Sequence, residues 1–255
     1  MSGDRGPAAT RTLRAGRVAV PTLVYHPESG EPARAGIALV TEAQGVNAFI
    51  RGVAAELAAE GFVVAVPDYY HGEGPADPEQ LVDLAHLAEL QAHIERLDFR
   101  QGIEDVLVAV DHLFEVEGVF RAGVWGYCTG GTLAMLGACL DRRVAASVLY
   151  YPSQPTFAAL SDRHPQHPLD LLWTLRRPAL LVIGEDDPVW PPALRQEVAA
   201  RAARWSLPLE VDLQPGAGHA FASHFEDWHR PEATAASWDR SLAFVRRHLY
   251  DEGER

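Results

Sequence analysis

The residues Val124-Trp125-Gly126-Tyr127-Cys128-Thr129-Gly130-Gly131 follow an apolar run and precede a helical one. Glycines two before and two after Cys128 match the spacing G-x-S-x-G of a nucleophile held on a tight strand–turn–helix bend, with cysteine in place of serine. Such a bend strains the backbone and brings the chain close to itself, so small neighbours are needed. A helix starting at Thr129 would point its N-terminus at the sulfur. Its dipole favours thiolate, and the amide of Thr129 is placed to bind an oxyanion. The competing reading is a buried structural cysteine at a glycine-rich turn. Cys139 lies amid Leu136, Ala138 and Leu140 and reads as a small core residue.

A thiol with an ordinary pKa of about 8.5 is mostly protonated at neutral pH, so an attacking sulfur wants a base and the base an orienting acid. In α/β-hydrolases these come in the order nucleophile, acid, histidine, each on a loop after a strand. Downstream of Cys128, Ile183-Gly184-Glu185-Asp186-Asp187-Pro188 leaves a strand, and Asp187 is the expected acid, with Asp186 as the alternate. Then Pro215-Gly216-Ala217-Gly218-His219 leaves the last strand, and His219 is the expected base.

Those loops require alternating strands and helices. Apolar runs predict strands over 18–25, 36–41, 62–66, 123–125, 145–151, 179–184 and 209–213. Helical patterns fill the intervals: one capped by Asn47, an amphipathic one over 81–94, one capped by Asp98, and others over 129–140, 191–205 and 231–249. This is the signature of a mostly parallel central sheet flanked by helices on both faces. Residues 1–12 read as a disordered tail, as do the last few, and 13–250 as a single domain. Residues 153–177, with their prolines and histidines, read as an excursion near the catalytic edge.

Composition excludes several functions. Net charge is −13, which argues against nucleic acid and against an anionic membrane surface. The chain has no lysine, which excludes Schiff-base chemistry and a P-loop. Two cysteines eleven residues apart on one helix would lie about 16 Å from each other, too far for a disulfide. The histidines His164, His167, His224 and His229 form no metal-ligand pattern, so neither a metal nor a cofactor is expected. His86 and His93 are expected at the surface or a rim. With no signal peptide or spanning run, the expectation is a cytoplasmic monomer or homodimer.

Taken together, the chain resembles the dienelactone hydrolase family (carboxymethylenebutenolidases), α/β-hydrolases with a Cys-His-Asp triad. The likeness runs from about Leu39 to the last helix. Its most specific part is Thr41-Glu42-Ala43-Gln44-Gly45-Val46-Asn47, followed by Gly61-Phe62 and Pro67-Asp68-Tyr69-Tyr70. The resemblance implies that Glu42 faces the cysteine and helps to activate it, and that the amide of Ala43 is a second oxyanion donor. Two neighbouring anions are disfavoured, so such a glutamate could keep the thiol protonated until substrate arrives. Family members acting on dienelactone hold its carboxylate with two arginines. Here one of those positions is Ser223, and Arg96 is the first arginine after Tyr69-Tyr70. A neutral or differently charged ester or lactone is therefore expected, in a pocket lined by Tyr70, Tyr151 and the 153–177 excursion. The implied activity is ester or lactone hydrolysis through an acyl enzyme. The rivals are acyl transfer or thioester cleavage on the same triad, and a non-catalytic ligand-binding protein.

Overall fold

Eight runs of the chain form strands: β1 (Ala9–Ala15), β2 (Val18–Tyr25), β3 (Ala35–Val40), β4 (Val63–Pro67), β5 (Arg121–Tyr127), β6 (Val144–Tyr150), β7 (Ala179–Gly184) and β8 (Leu209–Gln214). The computed structural model describes residues 9–28, 33–79, 84–223, 225 and 227–250. The strands make one sheet in the order β1-β2-β4-β3-β5-β6-β7-β8. β2 is antiparallel to both β1 and β4, and every other pair is parallel. Every residue of β3, β4 and β7 is buried, which suits apolar strands covered on both faces.

The covering comes from α1 (Ala48–Ala59), α2 (Leu84–Arg96), α3 (Phe99–Glu115), α4 (Thr129–Leu140), α5 (Pro192–Trp205) and α6 (Pro231–Leu249). Ile50 and Leu57 of α1 and Phe244 and Val245 of α6 bury against one face of the sheet. Val106 and Leu113 of α3, Leu133 of α4 and Val198 of α5 belong to the core on the other. The expected α/β-hydrolase architecture is therefore the observed one. Among the described residues, no helix is long and apolar enough to cross a membrane.

The expected cap of α1 is in place. The Ile50 amide donates to Asn47 Oδ1 at 3.0 Å, satisfying one orphan donor of the first turn. Asn47→Ala is expected to lower stability by about 1 kcal/mol and Asn47→Asp by much less, read as shifts of the urea midpoint.

Three expectations need correction or limits. The tail read over residues 1–12 is too long, because Ala9–Ala15 pairs with β2 from Ala9↔Val24 to Ala15↔Val18. Its sequence, ATRTLRA, lacks an apolar run because it is an edge strand, with most residues at least partly exposed and Arg11 and Arg14 on it. Residues 1–8, 80–83, His224 and 251–255 lie outside the described residues. His86 is buried, not at a surface, and shares its helix face with buried Leu90 four residues on. The excursion over 153–177 contains a short 3-10 helix, Pro168–Thr174, whose Leu169 and Leu172 are buried. His164 and His167 serve that segment: His164 stacks on Phe157 at 4.4 Å, and the Phe157 amide donates to His167 Nδ1 at 3.1 Å.

One consequence of this topology governs the site. Glu42, Cys128, Tyr151, Asp187 and His219 follow β3, β5, β6, β7 and β8 respectively, and these strands are consecutive neighbours in the sheet. All five residues therefore emerge at one carboxyl edge, where ligands of open α/β sheets bind.

Candidate active site

Cys128 sits between β5 and α4 with φ 52° and ψ −117°, a backbone conformation that costs a side-chain-bearing residue about 1–3 kcal/mol. The surroundings over-determine it. Its amide donates to Tyr150 O at 3.0 Å, and its carbonyl accepts from the amides of Thr132 and Ser153 at 3.2 and 3.1 Å. The glycines have steric reasons. A Cβ on Gly126 would lie 2.2 Å from Gly130 O, and one on Gly130 would lie 2.3 Å from Thr41 O. The Gly130 amide donates to Thr41 O at 3.0 Å, which lays the 41–43 loop against the start of α4. Thr129, the first residue of that helix, has an amide with no acceptor within the helix. Its hydroxyl meets Ser153 Oγ at 3.2 Å.

The three side chains expected to work together meet. His219 Nε2 lies 3.4 Å from Cys128 Sγ. On the other side of the ring, Nδ1 donates to Asp187 Oδ2 at 2.9 Å, since a carboxylate can only accept. Asp187 is itself aimed, because its other oxygen accepts the Val189 amide at 2.8 Å. Asp186, the alternate, is exposed and contributes its amide to Ala217 O at 2.9 Å. The β7 end passes so close to the histidine loop that a Cβ on Gly184 would be 2.1 Å from Ala217 O. Burial disfavours charge on the His219 ring, but the facing Cys128 sulfur and the Asp187 carboxylate outweigh it and push the imidazolium up to about 10. The ring thus lies with Nε2 on the sulfur and Nδ1 on the carboxylate, the two groups that favour its protonated form.

Glu42 is 1% exposed. Ser223 Oγ donates to its Oε2 at 3.2 Å and Tyr151 OH to its Oε1 at 3.3 Å. Tyr69 OH donates to its carbonyl at 2.6 Å, and Tyr70 OH donates to Ala43 O at 3.0 Å. Burial pushes the Glu42 carboxyl up to about 7, against the Ser223 hydrogen bond, the His219 charge and the Tyr151 hydrogen bond, which pull it down. Its folded pKa exceeds its ordinary value of 4.5, so the native state holds the extra proton between those values. Stability therefore falls as pH rises through that window and stays lower above it. Glu42→Gln removes this cost. It is expected to stabilise by about 2 kcal/mol more at pH 8 than at pH 5, read from urea midpoints. Equal gains at both pH values would contradict a buried, late-titrating carboxyl.

The description of the dienelactone hydrolase family matches residues 20–249 of the chain. The chain belongs to that family. A Bradyrhizobium protein named as a probable 2-oxo-3-(5-oxofuran-2-ylidene)propanoate lactonase is 34% identical over 207 residues, covering 80% of each chain. A Rhodococcus opacus carboxymethylenebutenolidase is 31% identical, covering 90% of this chain and 87% of its own. Among solved structures, a Klebsiella pneumoniae protein assigned to dienelactone hydrolase superposes with a TM-score of 0.79 at 24% identity, covering 94% and 98% of the two chains.

Against that family, the resemblance led us to expect Tyr70, Tyr151 and Ser223 at the substrate. Their hydroxyls are engaged with the 42–43 loop: Tyr151 and Ser223 on the Glu42 carboxyl, Tyr70 on the Ala43 carbonyl. Ser223 is fully buried, so the position at which the resemblance pointed to an arginine holds a neutral hydroxyl hydrogen-bonded to Glu42. Arg96 is exposed and donates from Nη2 to His93 Nδ1 at 3.3 Å, and its charge reaches the Tyr70 phenol. The role of Tyr69 in holding Glu42 was not read from sequence. Its only signal was the Pro67-Asp68-Tyr69-Tyr70 run, which has no local periodicity to explain it.

Proposed function

We propose that the protein is a cysteine-dependent hydrolase of an ester or lactone bond, working through an acyl enzyme. The observation that supports this best is the relay of carboxylate, imidazole and sulfur, at 2.9 and 3.4 Å, drawn from three separate loops. Membership of the dienelactone hydrolase family and the lactone substrates named for two relatives point the same way.

In this reading the Cys128 sulfur attacks the acyl carbon and the carbonyl electron pair moves onto oxygen. The amides of Thr129 and Ala43 would receive that oxyanion. His219, kept in one tautomer by Asp187, takes the thiol proton and delivers it to the leaving oxygen as the carbon–oxygen bond breaks. Water, deprotonated by the same ring, then attacks the thioester and releases the acid and the thiol. Glu42 beside the relay would oppose a second negative charge when ionised, so it suits a gate on the thiolate. With Ser223 in place of an arginine, a substrate lacking a carboxylate at that position fits best, because a buried unpaired carboxylate costs several kcal/mol.

The test is a panel of aryl esters and simple lactones, followed by mass spectrometry of the rapidly quenched enzyme. An acyl group is expected on the peptide bearing Cys128. Iodoacetamide should abolish turnover by modifying Cys128 and spare Cys139, which is 7% exposed and whose thiol burial pushes up to about 11. Turnover that survives full alkylation of Cys128 would defeat the reading.

A further inference from the structure

The other end of the sheet carries a feature that hydrolysis does not use. β5, β6 and β7 begin at Arg121, Val144 and Ala179, one strand length, about 20 Å, from the edge bearing Cys128. Around those beginnings Arg121, Arg142, Arg143, Arg177 and Arg247 line one cleft of about 780 Å3. These are five of the 22 cationic residues of a chain whose net charge is −13, gathered from four different segments.

Local carboxylates meet only some of these guanidinium groups among the described residues. Arg143 pairs with Asp111 at 2.7 Å and Asp141 at 2.5 Å, and Arg247 pairs with Glu210 at 2.6 Å. Arg142 and Arg177 are exposed, and among the described residues neither contacts a carboxylate. They are held beside each other, since Arg177 Nε donates to Arg142 O at 3.3 Å. That bond leaves the outer nitrogens of Arg177 for an external acceptor. Phe114 and Phe120 supply an apolar wall, and Phe120 is 76% exposed. Converging guanidinium groups repel one another and match the paired oxygens of carboxylates and phosphates. A cleft of this volume is in the range that accepts drug-sized molecules.

We propose that this cleft is a binding site for a small organic polyanion, its anionic groups on Arg142 and Arg177 and its ring or acyl body against Phe114 and Phe120. Phosphate esters and polycarboxylates share that chemistry.

The test is calorimetric titration at low ionic strength with three probes: phenyl phosphate, benzene-1,2,4-tricarboxylate and inorganic pyrophosphate. Saturable binding of at least one ring-bearing probe is expected, and which of the two binds more tightly assigns the anion. The Arg142→Ala/Arg177→Ala double variant should weaken that binding at least about tenfold, because two charge-assisted contacts are lost. Its ester turnover should be unchanged, since both residues are remote from Cys128. Phe120→Ala should weaken the ring-bearing probes and leave pyrophosphate alone. No saturable binding of any probe at millimolar concentration would overturn the proposal, as would equal binding by the double variant. A change in sedimentation between wild type and double variant would also overturn it, because the cleft would then be a contact between copies.

Discussion

Cys128→Ala is expected to lower kcat/KM for ester cleavage by about 10⁴-fold or more, since in the proposed mechanism the nucleophile, the base and the orienting acid act as one unit. The same variant should melt close to wild type. Cys128 contributes no side-chain hydrogen bond to its helix, and alanine inherits the same strained φ of 52°. Cys128→Gly separates function from strain. It should be equally inactive but more stable by about 1 kcal/mol, because glycine adopts positive φ freely. The measurement pairs initial rates on an aryl ester with thermal melts of the three proteins. Retained activity in either variant would move the chemistry to another residue. Unchanged stability in the glycine variant would mean that the backbone at position 128 stores no strain.

The second large effect is steric. Gly130→Ala would place a Cβ 2.3 Å from Thr41 O and 2.5 Å from Val40 O, both backbone atoms at the end of β3. Neither can yield without parting β3 from α4 and breaking the Gly130-to-Thr41 hydrogen bond. A loss of about 3 kcal/mol or more is expected. The displaced 41–43 loop should also lower turnover of whatever protein remains folded. Gly218→Ala is the control. It too is a glycine beside a proposed catalytic residue, yet nothing lies within 4 Å of its added Cβ. Its stability should stay within about 0.5 kcal/mol of wild type. Urea midpoints of the two variants decide the matter, and a mild Gly130→Ala would show that the elbow tolerates expansion.

Much of the site was legible in sequence because its parts are local. A strand of period two, a glycine-flanked turn and a capped helix are each encoded within a dozen residues. Hence Cys128, Asp187 and His219 could be picked out with their loops, and α4, β7 and α6 have the bounds that periodicity predicts. The edge strand β1 escaped, because a strand exposed at the rim carries Thr and Arg where buried strands carry Val and Leu. Fragment patterns favoured Asp187 and kept Asp186 as the alternate; the fold buries the first and exposes the second. The holding of Glu42 was the furthest from reach. Tyr151 and Ser223 lie 109 and 181 residues from it along the chain, and no periodicity links such positions. Only the neighbour order β3-β5-β6-β7-β8 brings those loops to one edge and surrounds a carboxyl with hydroxyls rather than an arginine.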